Sequence, residues 1–163
     1  MMNSPKITLY TMGVYGLDAG TFFANLVSAK IDLFCDIRQR RGMRGSQYAF
    51  VNSNALQSKL SELQIPYKYL KQLAPTDEIR NAQKSVDQEM GVLKRNREML
   101  SENFTLLFQS TVLKPLDCSI LSKEFIGASH VMLFCVEQAA SACHRSLVTN
   151  WLAAHLGYAV QHL

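Results

Sequence analysis

Two short motifs near the end of the chain gather groups that do chemistry. The apolar run from His130 to Val136 ends on Cys135-Val136-Glu137, and after a short loop come Cys143-His144-Arg145. Two thiols, a carboxylate, an imidazole and a guanidinium meet where a buried strand hands over to a helix. A helix N-terminus offers free N–H groups and the positive end of the helix dipole, a setting that binds anions and lowers a thiol pKa. Cys143 is therefore the candidate nucleophile and His144 the candidate acid or base. Glu137 is a candidate general base, or the residue that holds Arg145. Cys135 reads as a strand residue packed like a small apolar side chain, with a second reading as the thiol that resolves an oxidised Cys143. The plain structural alternative is a buried cysteine beside a helix-start ion pair between Arg145 and Glu137.

A second polar cluster follows an earlier apolar run. Ile31-Asp32-Leu33-Phe34-Cys35 leads into Asp36-Ile37-Arg38, and the loop continues through Gln39-Arg40-Arg41-Gly42-Met43-Arg44-Gly45. Arg38 suits bidentate contact with phosphate or carboxylate. Asp36 is a candidate proton acceptor or the residue that orients Arg38; an internal pair that fixes the loop is the alternative. Arg38, Arg40, Arg41 and Arg44 make a local basic patch, which points to an anionic small molecule or nucleic acid as partner. A solvated arginine loop would look the same. Tyr48 and Phe50 follow closely, suited to base stacking or, more simply, to anchoring the core.

Three pattern matches carry no weight. Cys35 and Arg41 have the spacing of an oxyanion-binding Cys-to-Arg loop, but the residues between them contain no glycine. Gly13 and Gly16 do not extend into a dinucleotide fingerprint. Cys135 and Cys143 stand eight apart with no second closely spaced pair, so no structural zinc or other metal is expected, and no cofactor is indicated.

The elements that must position these groups are legible in outline. Lys6 to Tyr10 reads as a first strand, and Asp18 as the cap of a helix running to about Ala29 with Phe22, Phe23, Leu26 and Val27 at helical spacing. Ile31 to Asp36 is the second strand, and this opening predicts a parallel sheet with a right-handed crossover. Asn52 or Ser53 starts a helix carrying Leu56, Leu60 and Leu63. A short third strand follows over residues 65–70, with Pro66 at its start. Residues 77–103 are polar and charged, and read as an exposed helical insertion or lid. Phe104 to Leu113 and Leu116 to Ile126 are helical. His130 to Val136 is the fourth strand, Arg145 to His155 the last helix with Gly157 as its stop, and Tyr158 to His162 a terminal strand.

The fold class is α/β: one domain over residues 1–163, with a mostly parallel sheet of about five strands and helices on both faces. Ligands in such sheets bind outside the carboxyl ends of the strands. The site is expected at that edge of strands one, two and four.

The 163 residues are enough for one domain with a sizeable core, and 48% apolar with 18% charged residues is an ordinary soluble composition. No apolar run approaches the roughly 20 residues of a membrane helix. The N-terminus lacks a leader pattern, so a cytoplasmic location with reduced cysteines and no membrane partner is expected. The net charge of +4 is concentrated in the arginine loop.

Gly13 after strand one, Asp36-Ile37-Arg38 after strand two, and Cys135-x-Glu137 with Cys143-His144-Arg145 resemble the three signature patches of the domain of unknown function 488 family. The resemblance implies an α/β fold in a bacterial or archaeal cytosolic protein, and a site formed by Asp36, Arg38, Glu137, Cys143, His144 and Arg145. It implies no particular reaction. The expected function is an enzyme acting on a phosphate-bearing or nucleic-acid-related substrate. Cys143, His144, Glu137 and Asp36 would carry the chemistry, and Arg38, Arg145 and Gly13 would hold the substrate. The alternatives are a non-catalytic nucleotide or nucleic-acid binding module and a thiol redox protein using Cys135 and Cys143.

Overall fold

The computed structural model describes residues 6–163; the start of the chain, read above for a leader, lies outside them. Five strands form one sheet in the order β3-β2-β4-β1-β5, and every pairing is parallel. The strands are β1 Thr8–Met12, β2 Leu33–Asp36, β3 Tyr67–Tyr69, β4 His130–Phe134 and β5 Ala159–His162. The helices are α1 Ala19–Ser28, α2 Ser53–Glu62, α3 Asp77–Met90, α4 Glu102–Phe108, α5 Cys118–Lys123 and α6 His144–Leu156. The α/β reading with one parallel sheet holds. Among the described residues no helix is long and apolar enough to cross a membrane.

Neighbouring residues of β1 show that helices cover both faces. Met12 takes an Asn25 amide from α1 on its sulfur at 3.6 Å, while Thr11 takes the Arg145 guanidinium from α6 on its hydroxyl. Successive strand side chains point to opposite faces, so α1 and α6 flank the sheet from opposite sides. On the α1 side Phe22 packs edge-on against Phe134 at 5.4 Å and approaches Phe34 at 6.5 Å. Burial on both faces is why β2 and β4 read as continuous apolar runs rather than alternating ones.

The structure shifts some boundaries. β1 starts two residues later than its composition suggests because pairing on both sides sets its extent, from Thr8 opposite His130 and Ala159 to Met12 opposite Phe134. β2 starts at Leu33 because Asp32 turns aside, its carboxylate accepting from the Ser129 and His130 amides at 2.9 Å. The polar stretch after residue 77 opens as a capped helix. The Thr76 hydroxyl accepts from the Ile79 amide, and Gly91 ends α3 in the left-handed region. A single turn, Lys94–Asn96, then leads toward α4.

The consequence for function lies in the strand order. The chain leaves a place between β1 and β2 that β4 later fills. The loops after β1, β2 and β4 therefore emerge side by side at the carboxyl edge, at the point where the order reverses.

Candidate functional site

Gly13 is the first residue beyond β1, and its bare Cα backs onto the loop after β4. A Cβ there would overlap the Glu137 carbonyl oxygen and lie 2.7 Å from the carbonyl carbon. The approach lets the Val14 and Tyr15 amides both donate to the Val136 carbonyl, at 3.0 and 3.2 Å. Arg145 grips the same loop from α6. Its Nη1 donates to the Glu137 carbonyl, Nη2 to the Gln138 carbonyl at 3.1 Å and Nε to the Thr11 hydroxyl at 3.2 Å. Arg145 is fully buried, and among the described residues no carboxylate pairs with it. The alternative reading of an ion pair between Arg145 and the Glu137 side chain is therefore not met among them; the contact is with that residue's main chain.

Asp36 and Arg38 form a buried fork at the end of β2. Arg38 Nε donates to Asp36 Oδ1 at 2.9 Å and Nη2 to Oδ2 at 2.8 Å, and Nη2 also reaches the Val51 carbonyl. The Tyr67 hydroxyl donates to Asp36 Oδ2 at 2.8 Å, and the guanidinium lies 4.8 Å above the Phe134 ring. Arg38 Nη1 is buried and meets no acceptor among the described residues.

The two cysteine motifs converge. The Cys135 and Cys143 sulfurs and a His144 ring nitrogen all lie within 4.8 Å of one another. His144 Nε2 donates to the Ile37 carbonyl at 2.8 Å, which turns Nδ1 toward Cys143 Sγ at 3.7 Å. Cys135 Sγ stands 3.4 Å from Glu137 Oε2, while Glu137 Oε1 takes Arg97 Nη2 at 3.0 Å and has Lys94 Nζ at 3.6 Å. Arg97 also pairs with Asp87 at 2.8 Å and donates to the Ala142 carbonyl.

These contacts set the ionisation of the cluster. Burial opposes a charge on Glu137, but Lys94, His144 and Arg97 more than offset it and hold the carboxyl down at about 2. The neighbouring Cys143 thiol favours the Cys135 thiolate against its burial, so Cys135 falls below the ordinary thiol range. Burial and the neighbouring Cys135 push Cys143 well above it. Burial resists the His144 imidazolium, the charge of Cys135 favours it, and the net effect is a raised pKa.

Part of this arrangement borders a cleft of about 910 Å³. One wall is the arginine loop, the other is α3 with the turn after it, and Tyr15 and Tyr48 meet edge to face at 5.4 Å beside it. Cys135, Glu137 and His144 lie at its inner end. Eight arginine and lysine side chains line the cleft against three carboxylates.

Of the residues expected from sequence, Arg38, Glu137 and His144 line the cleft. Asp36, Cys143, Arg145 and Gly13 stand behind it and hold its walls. The sulfur on the cleft wall is that of Cys135, not Cys143, which is 1% exposed. Sequence reasoning missed Arg97 and Lys94, which hold the Glu137 carboxylate, and Tyr67 and Thr11, which anchor Asp36 and Arg145. The charge of the 77–103 segment was visible, but nothing in its pattern marked which charges turn inward.

No curated protein and no solved structure matches the chain. The sequence model of the family described as domain of unknown function DUF488 matches residues 18–152, which span the arginine loop, both cysteine motifs and most of α6. The chain belongs to the domain of unknown function DUF488 family.

Proposed function

We propose that this protein is an enzyme whose cleft binds a phosphate-bearing compound of nucleotide type and presents it to Cys135, His144 and Glu137. The observation that carries this reading is the charge of the cleft: eight cationic side chains against three carboxylates, closing on that cluster. Two of the carboxylates, Asp87 and Glu137, are already engaged by Arg97. The arginines and lysines of the two walls therefore outnumber any internal partners and attract an anion. The free Nη1 of Arg38 gives a fixed donor beside the sheet edge. Tyr15 and Tyr48 offer apolar faces next to the charge, as a base or ribose would need.

The test is calorimetric titration with inorganic phosphate and nucleoside phosphates at rising salt. A built pocket keeps its preference for one compound as salt rises, whereas diffuse charge attraction fades for all of them alike. Arg38→Lys retains a cation beside Asp36 and removes the fork, and should abolish the preference. Arg44→Ala, at an exposed loop position, should only lower affinity overall. Equal small losses in both variants would reduce the loop to a solvated basic surface and end the proposal.

A further inference from the structure

We infer that Cys135, Cys143 and His144 form a binding site for a borderline-soft divalent cation, Zn²⁺ foremost, with its fourth position open to the cleft. The spacing of the thiols, eight residues apart, offers no reason to expect a metal. The fold removes that objection: Cys135 comes from the end of β4, and Cys143 and His144 from the start of α6. Their donor atoms lie within 4.8 Å of one another. Tetrahedral zinc with bonds of about 2.0–2.3 Å needs donors about 3.5–3.8 Å apart, so closing the site asks for a contraction of about 1 Å.

The imidazole is already oriented for this. A metal-binding histidine usually donates its other ring N–H to a carbonyl or carboxylate, which fixes the tautomer. Here Nε2 donates to the Ile37 carbonyl at 2.8 Å, and Nδ1 is left facing the sulfurs. Two thiolates and one imidazole, with a fourth position left for water or substrate, make a catalytic rather than a structural zinc set. Cys135 and His144 both border the cleft while Cys143 lies behind them, so the open position points to where the anion would sit. Soft sulfur donors disfavour Mg²⁺ and Ca²⁺.

Whatever protons the two thiols and the imidazole hold pass to solvent as the cation binds, and no oxidant or reductant is involved. Glu137 Oε2 lies 3.4 Å from Cys135 Sγ and would be placed to accept from a water held at the open position. Oε1 remains held by Arg97 at 3.0 Å, which fixes the carboxylate's direction. A glutamate two residues from a ligand of a His/Cys/Cys zinc serves other enzymes as their proton shuttle.

The experiment is titration of reduced, chelator-stripped protein with Co²⁺, followed by Zn²⁺. The expected result is one Co²⁺ per chain, with a sulfur-to-cobalt charge-transfer band in the near ultraviolet and intense tetrahedral bands in the visible, all erased by Zn²⁺. Cys135→Ser and Cys143→Ser should each weaken uptake by more than the roughly 10–100-fold that losing an outer partner costs. Should either variant fail to fold, the wild-type chain still decides the matter. Zn²⁺ should protect Cys135 from alkylation while leaving the partly exposed Cys118 untouched. A cobalt spectrum without the sulfur band, or no effect of zinc on Cys135, overturns the inference. So does a Cys135–Cys143 disulfide in the isolated protein with no metal uptake after reduction. None of these readouts involves an anion, so failure here leaves the phosphate reading standing, and failure of the phosphate titrations leaves this one.

Discussion

Replacing Gly13 with alanine should unseat the loop that aims Glu137. The added Cβ would overlap the Glu137 carbonyl oxygen, stand 2.7 Å from its carbon and 3.1 Å from the Val136 oxygen. These are main-chain atoms, so no side chain can swing aside. Overpacking of this kind costs about 1–3 kcal/mol where neighbours yield, and more where backbone must move. Displacing the loop also strains the Val14 and Tyr15 hydrogen bonds to Val136, each worth about 1 kcal/mol net, and loosens the Arg145 clasp on the Glu137 carbonyl. The sum is about 4 kcal/mol, a large share of the roughly 5–15 kcal/mol that holds a domain together. Urea denaturation reads this as a lower midpoint at unchanged slope. Gly42→Ala is the control, because no heavy atom lies within 4 Å of a Cβ there, and its effect should stay within about 0.5 kcal/mol. A loss below about 1 kcal/mol for Gly13→Ala would refute the claim that this glycine is selected by close main-chain approach.

Arg145→Lys keeps the charge but not the fork, and leaves at least one of the Glu137 and Gln138 carbonyls without its donor; a destabilisation of about 3 kcal/mol is expected by urea midpoint. Glu137 ionises at about 2 in the folded metal-free protein against an ordinary 4.5, so its contribution is complete above that ordinary value and lost as pH falls through 2. That contribution is about 3 kcal/mol, and Arg97→Gln should move the acid-unfolding midpoint to higher pH; superimposable acid profiles would show that Arg97 does not hold this carboxylate. Burial pushes the Cys35 thiol up to about 12, so mass spectrometry after mild alkylation at pH 8 should find Cys118 labelled and Cys35 intact.

What the sequence discloses follows from which contacts are local. β2 and β4 are plain because both faces of each are covered, so their apolar runs end abruptly at polar residues. The clusters after them could be placed at one edge before any coordinates, and β2 and β4 are indeed parallel neighbours, with Asp36 opposite Phe134. Asp18 and Gly157 announce the ends of their helices through capping chemistry that acts over a few residues. The main-chain clasp of Arg145 is hidden in the sequence for the opposite reason. Charge pairing suggests a carboxylate eight residues away, whereas the guanidinium satisfies two main-chain carbonyls, and carbonyls leave no mark in a sequence. Which of the two sulfurs reaches the cleft was equally hidden, since it depends on how α6 enters behind β4.

The division between residues that face the cleft and residues behind it has a mechanical sense. A cleft rich in cations repels itself when empty, and its walls are loops rather than strands. Each loop is therefore tied to the sheet by a polar anchor that does not touch solvent. The arginine loop is tied through Asp36, Tyr67 and the Val51 carbonyl, all gripping Arg38 or its partner. The β4 loop is tied through Arg145 and the missing side chain of Gly13. Removing an anchor should lower stability first, and binding only as a consequence. Removing Arg97 or Lys94 should instead change the charge and direction of Glu137 while the sheet edge stays in place. Arg38 belongs to both groups, since it closes the fork on Asp36 and also lines the cleft. For that residue alone, stability and ligand preference should fall together.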